Sequence, residues 1–364
     1  MSKKYFEVSF DNNKKRIMQP IKTALCSFGM SGWVFHAPFI HLHEGFELYA
    51  VFERTKNLAA DKYPGVKTFR SLEEMLADEA IELVIVNTPN YTHFEYAKLA
   101  LLAGKHVVVE KPFTNTVAEA EELIALAAKQ NKKLSVYQNR RWDSDFKTVQ
   151  KVVQQKLLGE IVEAEIHFDR YNENLSPKLH KETPGSGAGI LPDLGPHLID
   201  QALQLFGMPD AVFADATNLR AISQVEDYIE LLLFYKNLRV RLKAGYLVRE
   251  LLPAYIFHGT KGSFLKPRAD VQERDLQKEK NPADADWGTE EATGKGLLHT
   301  EIEGKVIRAY IDSERGNYME YYNGIYEAIR NGKPLPVTSV EGMNVIKIIE
   351  ASFQSVKNKK IIQL

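Results

Sequence analysis

The chain has a single cysteine, Cys26, so no intrachain disulfide can form, which fits a reducing cytoplasm. Nowhere do about 18 apolar residues run together, so no transmembrane helix is expected. Neither charge is in excess: 47 Lys and Arg stand against 48 Asp and Glu, a formal net charge of -1. That balance leaves no electrostatic footprint for nucleic acid or an anionic membrane. Metal-ligand spacing is missing as well, since His41 and His43 lie in HLHEGF without a companion cysteine. The opening MSKKYFEVSFDNNKKRIMQP lacks the apolar stretch of a secretory signal. Residues 1–20 are expected to be a poorly ordered extension, with Met18 a candidate natural start. What is present is 364 residues, 44% of them hydrophobic, which is material for two globular domains.

From Ile21 to about residue 140, short apolar runs alternate with amphipathic stretches. The runs IKTALCS, FELYAVFE, ELVIVN, HVVVE and LSVYQ read as strands buried on both faces, the mark of a parallel sheet. Ser71 with Glu74 and Thr116 with Glu119 have capping-box spacing at helix starts. Gly104 stands where a helix end wants a left-handed residue. Strand and helix in alternation mean right-handed crossovers and a doubly wound α/β sheet.

Residues 141–364 have a different texture. Val162, Ala164, Ile166 and Phe168, and again Val240, Leu242, Ala244 and Tyr246, alternate with polar neighbours, the period of a strand with one wet face. HGTKGSF reads as a hairpin. The second domain is therefore expected to be α+β, with a mostly antiparallel open sheet covered on one face by helices. Residues 267–296 are expected to be a surface excursion. Val345, Ile348, Ile349, Phe353 and Val356 are expected to pack inward from a late helix.

The first strand runs into Ser27-Phe28-Gly29-Met30-Ser31-Gly32. This is the dinucleotide fingerprint with Ser27 in place of its first glycine. Gly29 would let the backbone approach a pyrophosphate, and Gly32 would let helix pack on strand. The second strand ends at Glu53, followed by Arg54. A carboxylate there accepts from the adenosine ribose and favours NAD, whereas a guanidinium pairs with the 2′-phosphate of NADP. The strand-end position of Glu53 tips the reading toward NAD.

Two further segments carry chemistry. HVVVEKPFT puts Lys111 at the carboxyl end of a buried strand, where open α/β sheets hold their active groups. Its ammonium could stabilise the alkoxide that develops as hydride leaves. In GAGILPDLGPHLID, Asp193 and His197 are four apart, with a helix expected to start near Pro196. An imidazole can take and return a hydroxyl proton near neutral pH. The alternative makes Asp193 a helix cap and His197 a core residue.

Together, SFGMSG at 27–32, NTPNYTH at 87–93, EKP at 110–112 and DLGPH at 193–197 resemble the Gfo/Idh/MocA oxidoreductases. SVYQNRRWDSDF at 135–146 and HFDRY at 167–171 are most similar to its scyllo-inositol dehydrogenases. The resemblance implies Lys111, Asp193 and His197 as the catalytic trio. It places Thr88, Pro89, His93, Glu110 and Gln138 around the nicotinamide and its ribose. It assigns Arg141, Trp142, Tyr171 and Tyr318 to the substrate end, and oligomerisation to the second sheet. The expected activity is hydride transfer between NAD or NADP and a secondary hydroxyl of a cyclic polyol or sugar, with no metal. The departures are Ser27, Pro192 where relatives tend to carry an aromatic residue, and Glu53 before Arg54. Rival readings are a reductase of another sugar-derived or pigment carbonyl, an enzyme that never releases its cofactor, and a dinucleotide-sensing regulator.

Overall fold

The computed structural model describes residues 19–185 and 187–364, so the expected extension and Met18 fall outside the described residues. The expected apolar runs form β1 (Ile21–Leu25), β2 (Phe46–Phe52), β4 (Leu83–Val86), β5 (His106–Glu110) and β6 (Leu134–Tyr137). Short β3 (Lys67–Phe69) joins them at the edge. All pairs are parallel, in the order β3-β2-β1-β4-β5-β6. Strand order reverses between β1 and β4, the switch point where such sheets bind ligands at their carboxyl ends. Thr116 and Glu119 complete a capping box, whereas Ser71 only accepts from the Glu74 N–H.

The second sheet comprises β7 (Ile161–His167), β8 (Ala211–Thr217), β9 (Tyr228–Phe234), β10 (Arg239–Gly245), β11 (Tyr255–Gly259), β12 (Gly262–Lys266), β13 (Gly296–Ile302), β14 (Lys305–Ile311) and β15 (Ile362–Gln363). Its order is β14-β13-β12-β11-β7-β10-β9-β8-β15. Every pair is antiparallel except β7 with β10. The helices Ile190–Phe206 and Ser339–Asn358 cover one face. The second of these also packs on the Val117–Lys129 helix and β6, which joins the two sheets into one body.

Three expectations are corrected. The helix expected to start near Pro196 starts at Ile190 and carries Pro196 inside it. A proline there forfeits one backbone hydrogen bond, but twelve buried residues along this helix outweigh the loss. Residues 267–296 are not a mere excursion: a helix at Gln272–Gln277 packs against the first domain, and Trp287 is buried. Phe353 is 41% exposed, although Val345, Ile348 and Ile349 do face the core.

Candidate active site

The carboxyl ends of β1, β4 and β5 open on a cavity of about 610 Å³ walled on its far side by the second domain. Ser27, Gly29, Met30 and Ser31 line it. The turn is braced by Asn87, whose side chain accepts from Ser27 N–H (3.0 Å) and donates to Ser27 O (2.8 Å). A Cβ on Gly32 would collide with the Ser27 carbonyl oxygen, so this glycine is required by packing. A Cβ on Gly29 would meet no atom within 4 Å. No neighbour in the protein requires glycine at 29, and the room beside it suits a pyrophosphate brought against the backbone. Phe28 points away and packs edge-on against Tyr63.

After the turn the chain makes a π-helical stretch, Ser31–His36, in which Ala37 N–H bonds to Gly32 O. Ser31 Oγ and His36 Nε2 (3.0 Å) both meet Glu110 Oε1 at the end of β5, and His36 Nδ1 meets the Tyr322 hydroxyl at 2.7 Å. Burial would push the Glu110 carboxyl up, but His36, Ser31 and Lys111 outweigh it and hold the group well down as a carboxylate. Pro112, joined to Lys111 by a cis peptide, accepts on its carbonyl from His93 Nδ1 (2.7 Å), while His93 Nε2 faces Thr88 O at 2.9 Å. His93 thus ties the end of β5 to the Thr88-Pro89 turn; all three residues line the cavity.

Lys111, Asp193 and His197 meet on the same wall. Because the helix begins at Ile190, Asp193 and His197 lie one turn apart on one face. Lys111 Nζ donates to the Asp193 carbonyl (2.7 Å) and to its Oδ1 (3.3 Å), and Lys181 Nζ donates to the same Oδ1 at 2.6 Å. Burial raises the Asp193 carboxyl, yet the two ammonium groups overcome it and hold it far below the usual carboxylate range. His197 is buried with its Nδ1 unpartnered. Burial first, and then the charges of Lys111, Arg140, Arg268 and Arg170, push its pKa well down, so the imidazole is neutral at pH 7. Lys111 is lowered too, by burial, with Asp193 opposing.

Other expected residues stand elsewhere. Glu53 is buried, and its two oxygens accept the N–H groups of Leu58 (3.2 Å) and Ala59 (3.0 Å) at the start of the Leu58–Lys62 helix. It caps that helix rather than facing the cavity, while Arg54 is exposed. Arg70 donates to the carbonyls of Glu53 (2.8 Å) and Lys56 (2.6 Å), fixing the loop that carries Arg54. Gln138 is buried with Oε1 unpartnered and is not among the lining residues.

The substrate-end set shifts by one residue. Arg141 is engaged in a buried ion pair with Asp200 (2.8 and 2.6 Å) and reaches Glu341 at 2.9 Å. Arg140 lines the cavity instead, held by Asp143 (3.2 Å) and Glu273 (2.6 Å). Tyr318 is fully buried and donates to Asp143, and Trp142 packs edge-on against Tyr321. Tyr171 lies outside the wall beneath Arg249, whereas Arg170 and Asn172 line it. Sequence reasoning missed Lys178, Lys181 and Arg170; only the paired lysines of SPKLHKE offered a signal, in a stretch without periodicity. Among the described residues, no three His, Cys, Asp or Glu side chains gather as metal ligands, and no helix is long and apolar enough to cross a membrane.

A doubly wound sheet carrying a glycine turn, with a lysine, an aspartate and a histidine converging at its carboxyl edge, defines an oxidoreductase that uses a nicotinamide dinucleotide on CH–OH groups. The chain belongs to the Gfo/Idh/MocA family: the family's NAD-binding Rossmann fold matches residues 21–138, and its C-terminal alpha/beta domain matches residues 150–364. It is 39% identical to the scyllo-inositol 2-dehydrogenase (NADP(+)) IolW of Bacillus subtilis, over 96% of this chain and 98% of that one. A crystal structure from Bacteroides fragilis is 48% identical with a TM-score of 0.88, covering 95% of this chain and 100% of its own. An oxidoreductase from Bacillus cereus is 34% identical with a TM-score of 0.87, over 94% and 98% of the two chains.

Proposed function

We propose that this enzyme interconverts a secondary hydroxyl of a cyclic polyol or sugar, of the scyllo-inositol kind, and the corresponding ketone, using NADP. The observation that carries the reading is the convergence of Lys111, Asp193 and a neutral His197 on the cavity that also contains the glycine turn. The Ser27–Gly32 turn, Thr88, Pro89 and Glu110 would hold the dinucleotide, whose nicotinamide, when bound, accepts or returns the hydride. His197 takes the hydroxyl proton as the carbon–hydrogen bond breaks. Lys111 donates a hydrogen bond to the oxygen, where negative charge develops. Asp193, kept anionic, aims Lys111 and can accept from a neighbouring hydroxyl. Arg170, stacked over Phe168 at 4.9 Å, offers a fork of donors to vicinal oxygens of the ring.

NADP is favoured over NAD because the carboxylate of Glu53 caps a helix and Arg54 is left facing solvent at the end of β2. The dinucleotide named for IolW, NADP(+), agrees. Exposed Val306, Ile307 and Tyr310 on edge strand β14 support self-association through the second sheet. The direct test is the nicotinamide absorbance change with NADP+ and NAD+ separately, against scyllo-inositol, myo-inositol and several aldoses. Turnover with an inositol and NADP+ is expected. Dinucleotide binding with no turnover of any of them would move the substrate outside this class.

A further inference from the structure

Between β7 and the Ile190–Phe206 helix, Ser176, Pro177, Lys178, Lys181 and Glu182 line the cavity, and the backbone before them is pinned. Buried Arg220 donates to Asp227 Oδ2 (2.8 Å), to Glu182 Oε2 (3.1 Å) and to the carbonyl of Asn174 (2.6 Å). Glu182 Oε1 accepts the N–H of Ser176 at 2.8 Å. The strap so held presents two lysines to the cavity. Lys181 is engaged with Asp193. Lys178 is not engaged with any acid: among the described residues, no carboxylate lies within ion-pair distance of its ammonium.

Lys178 Nζ instead meets Met30 Sδ, at 3.6 Å, in the glycine turn of the other domain. A thioether is a weak acceptor without charge and cannot balance a cation. Other cavity cations do have partners: Lys111 and Lys181 share Asp193, Arg140 has Asp143 and Glu273, and Arg220 has Glu182 and Asp227. Arg170, also without an ion pair, lies over the Phe168 ring. The uncompensated charge at the cofactor end therefore sits on Lys178, facing a turn whose Gly29 has open space where a side chain would be.

We propose that Lys178 is a dinucleotide-binding residue supplied by the second domain, its ammonium pairing with the pyrophosphate that the Ser27–Gly32 turn cradles. The proposal rests on the cofactor reading above and adds a partner from across the cleft. Its signature is that the pyrophosphate is common to NAD and NADP, whereas the 2′-phosphate that Arg54 would meet is not.

The test is a fluorescence titration of the full-length chain with NADPH and with NADH, without substrate, at low and high salt. Wild type, Lys178→Met and Lys178→Arg are compared, with thermal unfolding showing that each is folded. Lys178→Met should weaken both dinucleotides by about the same factor, on the order of tenfold for one charge-assisted hydrogen bond, and flatten the salt dependence. Lys178→Arg should keep most of the affinity. Unchanged affinity for both dinucleotides in Lys178→Met overturns the proposal. A loss confined to NADPH moves Lys178 to the 2′-phosphate and overturns it too. Unchanged dinucleotide affinity with a raised substrate KM assigns the lysine to an anionic substrate, again against the proposal. Wild type that binds neither dinucleotide removes the cofactor reading itself, and the role of Lys178 with it.

Discussion

Replacing Arg141 by methionine should unfold this enzyme more readily without altering how it handles substrate. The guanidinium and Asp200 are a buried pair, 7% and 3% exposed, joined by two hydrogen bonds. Burial already pushes the Asp200 carboxyl above its usual range with Arg141 opposite. Without the arginine the carboxyl must take up a proton to stay buried. Protonating a group of ordinary pKa about 3.9 at pH 7 costs about 4 kcal/mol, at 1.36 kcal/mol per pH unit. That agrees with the 3–5 kcal/mol or so lost when one member of a buried pair is removed. With an unfolding entropy of roughly 2.1 cal/mol/K per residue, the 364-residue chain unfolding as one unit should melt about 5 °C lower. The sign follows from the raised folded-state pKa: the variant's deficit grows as pH rises above about 3.9, from about 1.5 kcal/mol at pH 5 to about 4 kcal/mol at pH 7. Thermal unfolding at both pH values, with steady-state kinetics at 25 °C, is the assay. Adding Asp200→Leu should recover most of the loss, because an apolar pair can replace a buried ion pair at little cost. An unchanged melting temperature with KM raised tenfold or more would refute this and return Arg141 to the substrate.

Three other outcomes are expected. Lys111→Met should abolish turnover while dinucleotide affinity, read by fluorescence titration, stays within a few-fold; turnover equal to wild type would sink the mechanism. Arg54→Ala should weaken NADPH by about tenfold to a hundredfold, the range for a charged hydrogen bond to phosphate, and leave NADH unmoved; equal losses would place the guanidinium elsewhere. Because cations and burial hold His197 neutral, kcat/KM for the oxidation should stay level as pH falls from 8 through 6.5 and decline only below it; an acid limb centred at or above 6.5 would contradict the assignment of the base.

The first domain was legible because its strands are buried on both faces, so LVIV or HVVV leaves little choice of element. Lys111 was legible because it stands at the carboxyl end of such a strand, where open α/β sheets hold their active groups. Side-chain direction was harder to read. Glu53 and Arg54 are neighbours at a strand end, and nothing in their spacing says which turns inward; the capping demand of Leu58 and Ala59 decides it. Arg140 and Arg141 sit in one short 3-10 helix, so adjacent side chains diverge and only one reaches the cavity. The start of the active-site helix was hidden by Pro196, a breaker by propensity that burial overrides. Lys178 and Lys181 come from a strap whose shape depends on Arg220, Glu182 and Asp227, residues far apart in sequence.

The π-helical stretch at Ser31–His36 carries one residue more than ordinary winding needs. Residues five apart on an α-helix stand about 140° apart around its axis, too far to share a single oxygen. Here Ser31 and His36 both reach Glu110 Oε1 because the helix is locally overlong by one residue. Removing one of Trp33, Val34 and Phe35 would leave Ser31 and His36 four apart, still on one face of an ordinary α-helix and still able to share that oxygen. Loss of one residue there should therefore be better tolerated than gain of one, because residues six apart stand about 240° around the axis and His36 would swing away from Glu110.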